Sequence, residues 1–208
     1  MTRIYLIRHG QSIGNASRIY LGHTDLDLSE LGFEQARETA RKLSDVPFTA
    51  IYSSDLLRAM HTAEPHAKLR GIEVVPCSNL REMHVGEWEG CKVDDLLLDE
   101  RFTKGWRENF GFFTFPGGEN VECAANRVHE ALSEIAQKHD GETIAAVFHA
   151  AALRAFWCKI IGAKKEDWAK VIQFPTNASY SIVEYEGGEF FAKEYSCDEH
   201  LAAITKIE

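Results

Sequence analysis

Apolar runs of strand length alternate with segments of helical period along most of this chain, and few folds accommodate that alternation. Residues 4–7 (IYLI) crowd β-branched and aromatic side chains together without helical spacing, which predicts a short buried strand. After a polar, glycine-containing loop, Ser29 can cap a helix that puts Phe33, Ala36, Ala40 and Leu43 on one face and stops before Pro47. "TAIYSS" reads as a second strand, and Ser54 as the cap of a helix with Leu56, Met60, Ala63 and Ala67 in line, ending near Gly71. Pro65 inside that helix predicts a kink or an early break. "IEVVPC" is a third strand. The pattern resumes with a helix over residues 121–138, its buried stripe formed by Val121, Ala125, Val128, Leu132 and Ile135 and its end marked by Gly141. The strand "TIAAVFH" and the helix "ALRAFWCKIIG" follow, and then "SYSIVEY" and "EFFAKEY" flank Glu186, Gly187 and Gly188 as a hairpin.

This order predicts an α/β fold: a three-layer αβα sandwich with a mostly parallel sheet and an antiparallel hairpin at its edge. Residues 79–118 depart from the pattern, with several glycines and short helical pieces such as "VDDLLLDE". They read as a small insertion within a single domain spanning residues 1–208.

A chain of 208 residues can bury one substantial core. Its net charge of −9 argues against a general affinity for nucleic acid or an anionic membrane. A small phosphorylated ligand is compatible with that charge, because a local group of arginines suffices to hold it. The cysteines (Cys77, Cys91, Cys123, Cys158 and Cys197) are scattered, odd in number and without a CxxC pair, which points to reduced thiols in a cytoplasmic protein. The apolar run after Arg3 is too short for the core of a signal peptide, and no segment reaches the roughly 20 apolar residues of a membrane helix. The histidines form no HxxxH or HExxH pair, so neither a metal nor another cofactor is expected. No stretch specifies an interface, and a homodimer is the default among soluble chains.

Ligands of open α/β sheets bind beyond the carboxyl ends of the strands. Two strands here end in histidine, His9 and His149, with Arg8 beside the first, and a third runs into "SSDLLR" with Arg58 in the first turn of the next helix. Singly, each has a bland explanation: a hydrogen-bonded strand-end histidine, or an arginine paired with a surface carboxylate. Arginine is unfavourable near the positive end of a helix dipole, which weakens that explanation for Arg58. If these strands are neighbours, two imidazoles and two guanidinia converge, and such a cluster is stable only around an anion.

The segments that carry these residues resemble the histidine phosphatase (phosphoglycerate mutase-like) superfamily, in order and over nearly the whole chain. "LIRHGQSIGN" resembles its RHG signature, "GHTDLDLSELGFEQA" the loop into its first helix, and "IYSSDLLRAMHTAE" its second arginine motif. "LREMHVGEWEG" resembles the acidic motif, "FPGGENVE" the entry to the long helix, "FHAAALR" the second histidine motif and "NASYSIVEY" the closing strand. The resemblance implies that His9 is a nucleophile forming a phosphohistidine and that Arg8, Arg58 and His149 surround the transferring oxygens. It implies Glu82 as general acid, a role that needs a proton held near neutral pH, with Glu87 or Glu89 as a neighbouring carboxylate or simply solvated. Asn15, Ser12, His23 and Thr24 are the implied substrate contacts.

The chain departs from the family pattern in four places. Ala150 and Ala151 replace two glycines after the second histidine, Phe148 replaces a small hydroxyl residue before it, and His23 and Asp27 are unusual in their loop. Cofactor-dependent mutases of the family resemble "ERHYG" in the acidic segment and are longer; "REMHVGEWEG" resembles the phosphatase-like branch. The expectation is therefore hydrolysis of a small phosphorylated metabolite. Mutase-type phosphoryl transfer and a non-catalytic phospho-ligand binder are the alternatives. The aromatic residues of "KGWRENFGFFTF" are expected to pack the insertion rather than to contact substrate.

Overall fold

In the computed structural model, which describes residues 1–204, the strands are β1 (Thr2–Arg8), β2 (Ala50–Ser53), β3 (Val74–Pro76), β4 (Thr143–Phe148), β5 (Tyr180–Glu186) and β6 (Glu189–Cys197). They form one sheet in the order β3-β2-β4-β1-β5-β6. The first four run parallel, and β5 and β6 are antiparallel. Gly187 and Gly188 both take positive φ, 60° and 92°, in the two-residue turn joining β5 to β6, a conformation that suits glycine.

Side chains alternate faces along the central strands, and both faces are covered. Ile4, Leu6, Ile144, Ala146 and Phe148 pack against Val128 and Leu132 of α5 (Val121–Lys138) and Leu153 and Phe156 of α6 (Ala150–Ile160). Ile7, Ile51, Ala145 and Val147 pack on the other side against Ala59, Ala63 and Ala67 of a third helix (Leu57–Arg70) and Leu43 at the end of a second (Glu30–Lys42). With α1 (Ile13–Ala16) and α4 (Val93–Leu96), these two are α2 and α3. The three-layer arrangement with its antiparallel edge matches the sequence expectation.

Two local expectations are corrected. Ser54 does not cap α3, whose N-cap is Leu56 with no side-chain bond. Nor does Pro65 break α3, which runs on to Arg70. Proline costs the helix the bond to the carbonyl four residues back, about 3 kcal/mol in an isolated helix, and the buried face of Ala59, Ala63, His66 and Ala67 outweighs it.

Residues 79–118 form a cap over the carboxyl ends of the strands. The cap has an apolar cluster of its own, in which Met83, Val85, Trp88, Phe102, Trp106 and Phe115 lean on Val121 and Ala125 of α5 and Ala151 and Ala155 of α6. Trp106, Phe110 and Phe115 are buried there as expected, while Phe112 is half-exposed.

Candidate active site

Strand register brings the two histidines together. β1 and β4 are adjacent and pair Arg8 with Phe148, so His9 and His149 lie abreast just beyond the strand ends. Their ring centroids are 5.1 Å apart. His9 Nδ1 lies 2.6 Å from the Gly10 carbonyl. A carbonyl only accepts, so Nδ1 carries the proton and Nε2 keeps its lone pair. His149 Nε2 meets the hydroxyl of Ser54 at 2.8 Å. Ser54 is in place because β2 is the other neighbour of β4 and its N–H extends the ladder to the Val147 carbonyl. Burial, followed by the charges of Arg58 and, for His9, Arg8, holds both imidazoles well below the usual histidine range. Both are neutral at neutral pH.

Arg58, in the first turn of α3 as the sequence indicates, is fully buried and donates to the carbonyls of Gly22 (2.7 Å) and Thr24 (2.9 Å). The loop that supplies those carbonyls is clasped from below. Glu89 accepts the N–H of Gly22 (3.1 Å), His23 (2.6 Å) and Thr24 (3.2 Å) and the Thr24 hydroxyl (2.7 Å). Burial pushes the Glu89 carboxyl upward, and these hydrogen bonds outweigh it and bring the pKa below its ordinary value. Arg8 donates from Nη1 to the Pro175 carbonyl (2.5 Å), and burial brings its guanidinium down to about 10.

The remaining expected residues divide between pocket and support. Glu82 is buried on the pocket wall; its carboxylate accepts from the N–H groups of Met83 (2.9 Å), Ala151 (3.0 Å) and Ala152 (2.9 Å). Glu87 faces Arg101 at the surface, and Glu89 holds the loop just described. Arg127 of α5 fixes the Glu82 backbone by donating to the carbonyls of Asn79, Arg81 and Glu82 while pairing with Glu119. Asn15 and Ser12 line the pocket and cap each other's backbone at the start of α1. The Asn15 Oδ1 also accepts from Asn177, which leaves its Nδ2 to donate.

His23 and Thr24, expected as substrate contacts, fall outside the pocket lining. Their backbone serves Arg58 and Glu89, and His23 donates from Nε2 to the Glu82 carbonyl (2.9 Å). Sequence reasoning missed the parts played by Ser54, Glu89 and Asn177. Asn177 opens the "NASYSIVEY" segment, which was the available signal.

These groups surround a pocket of about 520 Å³. Its floor carries Arg8, His9, Asn15 and Arg58, with His149 beside His9. Two buried nitrogens of this cluster, Arg8 Nε and His149 Nδ1, have no hydrogen-bond partner among the described residues. Buried donors are normally paired, and a cationic, under-bonded cluster of this kind is suited to an anion with several acceptor oxygens. Among the described residues no group of three or more His, Cys, Asp or Glu could hold a metal ion, and no helix is long and apolar enough to cross a membrane.

The fold and this cluster place an anion-binding candidate site beyond the strand ends of an αβα sandwich. The description "Histidine phosphatase superfamily (branch 1)" matches residues 4–198, and the chain belongs to that superfamily. It is 34% identical over 189 residues to phosphoserine phosphatase 1 of Hydrogenobacter thermophilus, covering 89% of this chain and 88% of that protein. It is 32% identical over 196 residues to a probable phosphoglycerate mutase GpmB of Salmonella choleraesuis, covering 92% and 89%. Among solved structures, YhfR of Bacillus stearothermophilus superposes with a TM-score of 0.89 at 28% identity, covering 97% of this chain and all of the other.

Proposed function

We propose that this protein is a metal-independent phosphomonoester hydrolase of a small phosphorylated metabolite, a single domain with its cap over the site. The observation that carries the reading is the pairing of a neutral His9, its Nε2 unprotonated, with a buried cluster that has Arg8 Nε and His149 Nδ1 left to donate. His9 Nε2 attacks phosphorus, forming the N–P bond as the P–O bond to the alcohol breaks. Arg8, Arg58, Asn15 and His149 bind the oxygens as charge moves onto them. The Ser54 hydroxyl donates to His149 Nε2, so that Nδ1 bears the proton it offers to phosphate.

Glu82 is the acidic residue of the pocket lining and supplies a proton to the departing alkoxide. It then takes a proton from the water that attacks the phosphohistidine, and phosphate leaves with His9 restored. Ser12 acts by ordering Asn15, and His23 and Thr24 by ordering Arg58. The mutase alternative, which the GpmB likeness supports, would return the phosphoryl group to substrate; the acidic segment "REMHVGEWEG" favours water as acceptor. Five unpaired cysteines support a reducing, cytoplasmic setting, and a homodimer is the default assembly.

The test is hydrolysis of p-nitrophenyl phosphate in excess chelator by the wild type and by His9→Ala, beside an assay for isomerisation of 3-phosphoglycerate. Turnover should survive chelation, vanish in the variant and occur without efficient isomerisation. Turnover retained by His9→Ala would refute the assignment of the nucleophile.

A further inference from the structure

The pocket over His9, about 520 Å³, is far larger than a phosphoryl group. Its contents are sorted. The polar and ionic side chains gather near His9, which is 5% exposed at the floor. The walls above are apolar, formed by Val85, Val93, Leu97, Phe102, Trp106 and Phe115. Charge returns only at the mouth, with Arg18 and Arg107.

The cations of the mouth and of the cap turn beside it are not equivalent. On the cap turn Arg101–Arg107, Arg101 pairs with Asp99 at 2.7 Å and Lys104 with Glu100 at 2.8 Å. Arg18 pairs with Asp94 at 2.5 Å. Arg107 alone of these four has no carboxylate and no hydrogen-bond partner among the described residues, in a chain where acidic residues outnumber Lys and Arg by 32 to 23. Its neighbour Trp106, 3% exposed and packed among Phe110, Phe113 and Phe115, fixes the backbone from which the guanidinium projects. Gly105 permits that packing, since a Cβ there would come within 2.8 Å of the Phe113 ring. An unneutralised cation at the end of an apolar sleeve, projecting from a backbone that Trp106 anchors, is a receptor for an anion.

We propose that the substrate is a phosphomonoester whose alcohol portion is apolar, of ring or branched size, and carries a second anionic group at the end remote from phosphorus, received by Arg107. This rests on the phosphatase reading. Arginine suits the role because its planar fork can bind both oxygens of a carboxylate.

The experiment compares phenyl phosphate with 4-carboxyphenyl phosphate on the wild type, Arg107→Gln and Arg107→Lys. The quantity is the kcat/KM ratio of the carboxylated to the plain ester in the wild type, divided by the same ratio in Arg107→Gln. Differences between the leaving groups, and any loss common to both esters, cancel in that quotient. An exposed ion pair predicts a quotient of about five at low ionic strength, shrinking towards one as salt is added, with Arg107→Lys between the two. A quotient of one at low salt overturns the proposal, as does a quotient that does not fall as salt is added. If the wild type turns over neither ester, the hydrolase reading fails instead. The same quotient is then taken from the dissociation constants of the two esters by calorimetry, where a value of one again overturns the role of Arg107.

Discussion

Replacing Glu89 with glutamine would separate the groups proposed to contact phosphate from those that hold them in place. In the structure the Glu89 carboxylate takes four hydrogen bonds from residues 22–24, three of them on Oε2. A glutamine oxygen in the place of Oε2 keeps three of these without charge assistance, and its NH2 then confronts the His23 N–H. Hydrogen bonds to charged groups contribute about 1.5–3 kcal/mol against about 1 for neutral ones, so the loop loses roughly 2–3 kcal/mol of clasp after allowance for a half-exposed carboxylate. The carbonyls of Gly22 and Thr24 are the two hydrogen-bond acceptors of Arg58, and their loosening passes directly to the guanidinium. Complete removal of one transition-state donor typically costs about 100–1,000-fold in kcat, so partial misplacement predicts a fall of about 30-fold.

The assay is steady-state hydrolysis of p-nitrophenyl phosphate together with inhibition by vanadate, whose five-coordinate adduct imitates the transferring phosphoryl group. The drop should appear mainly in kcat and in vanadate affinity, with KM little changed. A folded Glu89→Gln protein with wild-type kcat and vanadate affinity, merely melting earlier, would refute the reasoning. Because its hydrogen bonds hold the Glu89 pKa below the ordinary 4.5, the clasp is intact above that pH and is lost as pH falls through the depressed value.

Two further outcomes follow from the geometry. Ser54→Ala removes the partner of His149 Nε2 and should lower kcat about tenfold, with a smaller effect on Tm; an unchanged kcat would mean that the imidazole is held by packing alone. His66 is buried in α3 with both ring nitrogens unpartnered among the described residues, and burial, with the charges of Arg70 and His200, brings its pKa down to about 3. The unfolded chain therefore binds a proton at His66 below pH 6.5 that the folded one refuses until about pH 3, so stability drains away as pH falls through that window. Urea unfolding at pH 7 and pH 5 should show the wild type losing about 2 kcal/mol more than His66→Leu, and equal losses would contradict this account.

The groups at the strand ends could be found in the sequence because their signal is local. An apolar run stops, a histidine or arginine follows, and the geometry of parallel sheets dictates where it points. Ser54 was legible as a polar residue after a strand, but its partner lies 95 residues away, and no local pattern distinguishes a helix cap from a support for His149. Glu89, a neighbour for Glu82 or a solvated acid on the sequence alone, is hidden for the same reason: its meaning depends on the return of residues 22–24 over it. The aromatic residues of the cap were read as packing, and they do pack. Phe102, Trp106 and Phe115 also form pocket wall, because a cap of about forty residues is too thin to separate an interior from a lining. The sequence leaves Glu87 and Glu89 open as neighbours of Glu82 or as solvated acids, and the carboxylate of Glu82 rests on the first N–H groups of α6, a contact fixed by how the cap folds back.

The strand order also shapes how this protein is made. β4 is the strand that joins the two sides of the sheet, since β1 pairs only with β4 and β5 and β2 only with β3 and β4. Until Thr143 and the residues after it have left the ribosome, β1 has no neighbour and β2 and β3 stand as an isolated parallel pair. About two-thirds of the polypeptide must therefore wait, with apolar strand edges uncovered, for one late segment to insert at the centre. The insertion that completes the sheet is the same event that sets His149 beside His9. A nascent or truncated chain lacking β4 is thus both unfinished and without the paired imidazoles, and a molecule with the two imidazoles in register has its central strands in place.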